Sequence, residues 1–128
     1  VQIPRQLPQF KDRSALLIVA GRQDAIFYQV ANGRLEALDD FKIQRPQLFA
    51  EESQRPARAE IIRDFLREFK RRLKFLPDCT EVWLFAPSRT KNELLRALPA
   101  PRRLRLRRVI PGNYYPRSPL ELLHKLAA

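Results

Sequence analysis

The sequence predicts a mixed α/β domain built on one five-stranded sheet. Three observations point there. Residues 15–20 form a near-continuous apolar run, Ala15-Leu-Leu-Ile-Val-Ala20, as a central strand buried on both faces requires. Asn32-Gly33 stands between two strand-like segments and marks a tight hairpin, because both central residues of such a turn need positive φ. Beyond it, helical and strand-like patterns alternate, as they do where βα crossovers feed parallel strands.

Element by element, residues 1–14 carry Pro4 and Pro8 with scattered charges and no periodicity, and are expected to form an extended N-terminal arm. The domain itself spans 15–128. Its first strand is 15–20, its second 25–30, and its third 34–41, giving an antiparallel meander. Residues 42–56, with Pro46 and Pro56, read as a loop. A long helix follows over 57–75: Ile61, Ile62, Phe65, Leu66, Phe69 and Leu73 recur at helical spacing, opposite Arg63, Arg67, Lys70, Arg71 and Lys74. Pro77 ends it. Residues 81–86 form the fourth strand. A short helix follows, with Thr90 and Glu93 spaced as a capping box and Pro99 and Pro101 closing it. Residues 102–110 supply the fifth strand. Ser118-Pro119 and Glu121 open the last helix.

The order β-β-β-α-β-α-β-α, with right-handed crossovers, places strands four and five parallel beyond the first. This is the ribonuclease-H-like arrangement. Nucleases of that fold hold two metal ions with carboxylates, because a hard divalent cation needs oxygen ligands. Here the first strand has no acid, and the fourth ends Phe85-Ala86-Pro87-Ser88, also without one. Metal-dependent nuclease chemistry is therefore not expected. One histidine and one cysteine exclude a Cys/His zinc cluster, and three glycines leave no phosphate-binding glycine loop. Ser88 and Ser118 read as turn and cap residues. Cys79 reads as a small semi-buried side chain, far along the chain from His124. The expectation is a non-enzyme with no cofactor and no metal.

A chain of 128 residues with 45% apolar and 30% charged residues fits one globular domain. It lacks an apolar run long enough to cross a bilayer and an apolar leader core. The chain starts at Val1 without any methionine, which fits a fragment or a trimmed protein. The lone cysteine excludes an intramolecular disulfide and suits a cytoplasmic protein. The balance of 25 basic and 14 acidic residues, a formal charge of +11, favours polyanions as partners.

The cations have addresses. Residues 102–108 read Arg-Arg-Leu-Arg-Leu-Arg-Arg; with Leu104 and Leu106 inward, Arg103, Arg105 and Arg107 would share one face of an edge strand. Such a row either meets an anion or guards the edge against aggregation. Arg89 and Lys91 stand where the fourth strand passes into a helix, the edge at which open α/β sheets bind ligands, although helix capping also explains that segment. Tyr114 and Tyr115 read either as base-stacking residues or as loop anchors on the sheet.

These segments resemble a known group. The pattern is Leu16-Leu-Ile-Val-Ala-Gly-Arg22, Ala25-Ile-Phe-Tyr28, Asn32-Gly33 and a long basic helix. It continues through Val82-Trp-Leu-Phe-Ala-Pro-Ser88, Glu93-Leu-Leu-Arg-Ala-Leu98, Val109-Ile-Pro111 and Ser118-Pro-Leu-Glu-Leu-Leu123. Over residues 15–127 it is similar to the bacterial relatives of the archaeo-eukaryotic release factor middle domain, including the host attachment proteins. The resemblance implies a ribonuclease-H-like domain that contacts tRNA or the ribosome. It also implies a Gly-Gly-Gln tip between the third strand and the long helix. Residues 43–56 contain no glycine; Gln47 and Gln54 are present, but neither follows Gly-Gly. No catalytic residue carries over, while Arg45, Arg55 and Arg58 are candidates for RNA contact. The expected role is a basic binding domain for RNA or the ribosome, with an acidic protein partner as the alternative and no membrane insertion.

Overall fold

The computed structural model describes residues 1–43, 54–115 and 117–127, with the backbone alone described for 54–58. Arg45 therefore lies outside the described residues, as do the side chains of Arg55 and Arg58. The elements are β1 (Ser14–Ala20), β2 (Asp24–Ala31), β3 (Arg34–Lys42), α1 (Gln54–Leu73), β4 (Glu81–Ala86), α2 (Lys91–Ala97), α3 (Ala100–Leu104), β5 (Leu106–Pro111) and α4 (Pro119–Ala127). The sheet order is β3-β2-β1-β4-β5, with β1 parallel to β4 and β4 parallel to β5. This is the mixed five-stranded order that the sequence predicts.

β1 is the centre of the sheet because it satisfies both faces. Leu16, Ile18 and Ala20 point to one side, and Ala15, Leu17 and Val19 to the other; all six are buried. The first side is covered by α1 and α2. Phe65, Phe69 and Leu73 of α1, spaced by four, lie against Phe27, Phe41, Val82 and Leu84. Four phenylalanines pack in sequence here: Phe27–Phe41 at 6.3 Å, Phe27–Phe69 at 5.9 Å, Phe41–Phe65 at 5.4 Å and Phe65–Phe69 at 6.2 Å between ring centroids. Such contacts add to the burial of the rings themselves.

The second side is covered by α4, through Leu122 and Leu123, and by the N-terminal segment, through Ile3, Leu7 and Phe10. That segment is held to the β2–β3 hairpin. Asn32 (φ 48°) and Gly33 (φ 76°) make the two-residue turn that Asn-Gly predicts. The Gly33 carbonyl accepts from Ile3 N–H at 2.7 Å, and Gly33 N–H donates to the Gln9 carbonyl at 2.7 Å. A Cβ on Gly33 would also meet Gln9 Oε1 at 2.8 Å, so glycine serves both the turn and the docking.

Two expectations about the segments around α2 fail. The fifth strand, expected over 102–110, does not follow directly on the prolines that close α2. Pro99 is the N-cap of α3, with a proline in the first turn, where its missing N–H costs no helix bond. Residues 102–104 are therefore helical, and β5 begins only at Leu106. Arg102 explains why. Arg102 is 9% exposed, and its guanidinium donates to the carbonyls of Leu73 (3.0 Å), Leu76 (2.9 Å) and Pro77 (3.1 Å), where α1 ends. A cation there meets the carbonyls of the helix's closing turn and the negative end of the helix dipole. The capping box fails too. Thr90 forms no side-chain cap; its hydroxyl donates to the Pro87 carbonyl at 3.4 Å instead.

α1 is tied to β3 by charge. Arg72 donates to Asp39 at 2.7 Å and to Glu68 at 2.7 Å, and Arg71 also pairs with Glu68. Hydrogen bonds from Arg71 and then Arg72 hold the Glu68 carboxyl down at about 2, against an ordinary 4.5. Stability linked to this carboxylate is fully present above pH 4.5 and lost as pH falls through about 2. The urea midpoint of the wild type should therefore drop more steeply across that window than that of Glu68→Gln; parallel slopes would deny Glu68 this role. For Arg102→Met we expect a loss of roughly 2–3 kcal/mol in urea unfolding, since three carbonyls lose a charged donor. The exposed Arg107→Met should change stability by less than about 0.5 kcal/mol.

Candidate nucleic-acid interface

The candidate cations fall at opposite edges of the sheet. Arg89 and Lys91 follow the C-terminal end of β4, in a turn closed by the Pro87 carbonyl, which accepts from Thr90 N–H and Lys91 N–H, each at 3.0 Å. Arg89 is exposed and Lys91 half-buried. Arg22, in the turn after β1, reaches the same edge. Arg103 and Arg105 stand at the other edge, where β4 and β5 begin.

Arg103, Arg105 and Arg107 do not form the expected row. Arg103 is on α3, Arg105 follows α3, and Arg107 lies on β5. The pairing of β5 to β4 slips by one residue there: Val82 faces Leu106, but Trp83 faces Arg108, leaving Arg107 at the irregularity. An irregular, charged edge strand resists pairing with another chain. Leu104, expected inside, is 87% exposed.

The first two arginines are anchored to backbone carbonyls. Arg103 Nη2 donates to Leu98 O at 2.8 Å and to Arg96 O at 3.2 Å, at the end of α2. Arg105 Nη1 donates to Cys79 O at 2.9 Å. These acceptors are neutral, so the positive charge persists. Among the described residues, Arg89, Lys91, Arg103, Arg105, Arg107 and Arg108 form no ion pair with a carboxylate. The long helix differs: Arg67 pairs with Asp64, and Arg71 and Arg72 pair with Glu68.

Other candidate groups resolve as parts of the framework. Cys79 is buried, and that burial pushes its thiol up, away from the nucleophilic thiolate. Tyr114 packs edge-on against Phe85 at 5.4 Å, with Arg117 over its ring at 5.3 Å. Tyr115 packs against the same side of the sheet. The two tyrosines are loop anchors. Glu81, buried at the start of β4, pairs with Arg13 at 3.4 Å and accepts from Trp83 Nε1 at 3.0 Å. No group of His, Cys, Asp or Glu among the described residues is placed to hold a metal ion. No described helix is long and apolar enough to cross a membrane.

One feature of this surface was invisible in the sequence. Phe75, in the turn after α1, is 78% exposed, and so stands beside Lys74 as Leu104 stands between Arg103 and Arg105. Period alone places Phe75 within the helix; the chain has already left α1 at Leu73.

The fold has a counterpart among solved structures. The chain is similar to the archaeal translation termination factor aRF1, with a TM-score of 0.62 and 13% identity, over 89% of this chain and 37% of that one. A second solved structure, described as an archaeal protein, gives a TM-score of 0.48 at 14% identity, over 80% of this chain and 30% of that one. No family model matches the chain, and no curated protein does. The chain thus spans little more than a third of the termination factor, 37% of its length, and shares with it an α/β fold.

Proposed function

We propose that this chain is a release-factor-like binding domain of the cytoplasm that associates with RNA, tRNA or the ribosome and catalyses no reaction. The likeness in fold to a translation termination factor carries this reading. The net charge of +11 and the exposed arginines without carboxylate partners support it, because phosphate contacts dominate nucleic-acid affinity. The bacterial relatives of the release factor middle domain are the finer placement, on the segments quoted above. The non-catalytic part rests on the sequence of 43–56, which has no glycine and so no Gly-Gly-Gln.

A second reading, a scaffold domain that binds an acidic protein, is favoured by one observation: Phe75 and Leu104 are large, apolar and exposed.

Titration against tRNA and ribosomes at increasing salt separates the two. Binding should be measurable near 50 mM salt and weaken log-linearly, with a slope of about −0.7 per phosphate neutralised on single strands. No binding at low salt to either would overturn the RNA reading. Partners that survive nuclease treatment in a pull-down would favour the acidic protein. Peptidyl-tRNA hydrolysis should be absent; turnover abolished by Gln54→Ala or Gln47→Ala would overturn the non-catalytic assignment.

A further inference from the structure

We infer that the end of the domain where α1, α3 and the start of β5 meet binds an unpaired RNA segment, with Phe75 as the base-stacking face and Lys74, Arg103 and Arg105 as phosphate contacts. This deepens the RNA reading and rests on it.

The placement comes from Arg102. The turn that holds Phe75 is fixed by its own backbone: Lys74, Phe75 and Leu76 N–H donate to the carbonyls of Arg71, Arg72 and Leu73 at 3.3, 3.1 and 3.4 Å. Arg102, on α3, reaches the carbonyls of Leu73 and Leu76, one on each side of Phe75. The helix that presents Arg103 and Leu104 is thereby clamped to the turn that presents Phe75. Among the described residues the exposed large apolar side chains are Val1, Phe75, Leu104 and Leu120, and the two most exposed belong to these clamped segments, at 78% and 87%. Folding leaves Phe75 in water although α1, just before it in sequence, buries Phe65 and Phe69.

Charge chooses the occupant. Lys70, Lys74, Arg96, Arg103 and Arg105 are exposed at this end and, among the described residues, form no ion pair. Asp78 is the carboxylate on the adjoining segment. Each apolar side chain is next to cations in sequence, Lys74 before Phe75 and Arg103 and Arg105 around Leu104. A protein interface core is depleted of charge. An aromatic face set among cations is instead the chemistry of single-strand binding, where a base stacks and its flanking phosphates are neutralised. Arg103 holds the carbonyls of Leu98 and Arg96 through Nη2 alone, and Arg105 holds the Cys79 carbonyl through Nη1 alone, which anchors each guanidinium by a single nitrogen. A donor already held in place loses less freedom on binding.

Fluorescence anisotropy with a labelled oligouridylate at low salt tests this on the whole chain. Phe75→Ala should weaken binding about tenfold with the salt slope unchanged, and Phe75→Trp should restore affinity and show indole quenching on binding. Lys74→Glu with Arg105→Glu should lower both affinity and salt slope, while Arg5→Glu with Lys11→Glu, exposed on the N-terminal segment, should change neither by more than about twofold. Urea unfolding of each variant checks that the fold is intact. If the wild type binds RNA and Phe75→Ala binds equally well, this site is wrong and the RNA reading stands. If the wild type binds no RNA, the reading falls and the site with it. Phe75-dependent binding of polyglutamate in place of RNA would overturn the assignment and give the surface to an acidic protein.

Discussion

A single guanidinium decides how the two halves of this molecule meet. α1 is 20 residues long, and its last carbonyls are left with only the three long bonds of the turn that closes it, at 3.1–3.4 Å. Many helices solve this with a glycine that turns left-handed just past the end. This chain has three glycines, all in turns between strands or after β5, and none near α1. Arg102 does the work instead, from α3, 26 residues beyond Leu76. Once it is in place, α3 lies across the end of α1, β5 starts one residue after Arg105, and Arg103 repeats the device on α2. The arginine-rich stretch is thus first a set of helix ends joined together and only then a charged surface.

That constraint acts on a sheet with little freedom of its own. All of Ala15–Ala20 is buried, so β1 cannot slip by one residue without exchanging the two cores it serves. One core needs α1 and α2. The other needs α4 and the N-terminal segment, whose Ile3, Leu7 and Phe10 are as deeply buried as most strand residues. The segment is an integral layer of the fold, and its hydrogen bonds to Gly33 fasten it to the β2–β3 turn.

What could be read from the sequence was what local chemistry determines. The apolar run of β1, the Asn32-Gly33 turn and the four-residue spacing of Phe65, Phe69 and Leu73 each encode their structure within a few residues. Sheet order followed from the order of elements and the handedness of crossovers. What was misread depends on partners far away. Leu104 and Leu106 alternate with arginines as a strand would, but period two over so few residues is weak beside a buried cation with three carbonyls to satisfy. The loop tyrosines offered two readings until Phe85 and Arg117 appeared beside Tyr114. Ile3, Leu7 and Phe10 have no regular period, so their burial left no pattern to find. Arg89 and Lys91 were placed at the correct edge; Arg103 and Arg105 were placed on the wrong element because α3 was not foreseen.

The interior of the sheet leaves little for chemistry. β1 carries no acid, the buried Glu81 is engaged by Arg13 and Trp83, and Cys79 is held as a thiol by burial. The two ends of the strands that carry the candidate cations are not equivalent. Arg22 and Arg89, in turns, and Lys91, at the start of α2, have no side-chain hydrogen bond to the framework among the described residues, so a ligand would have to order them. Arg103 and Arg105 are already ordered, because ending α2 and joining β4 require it. In this chain the same bonds that complete the fold also fix the direction of its charges. The surface at that end is one that folding has organised, and a substitution that loosens Arg102 would disturb the charges there without touching one of them.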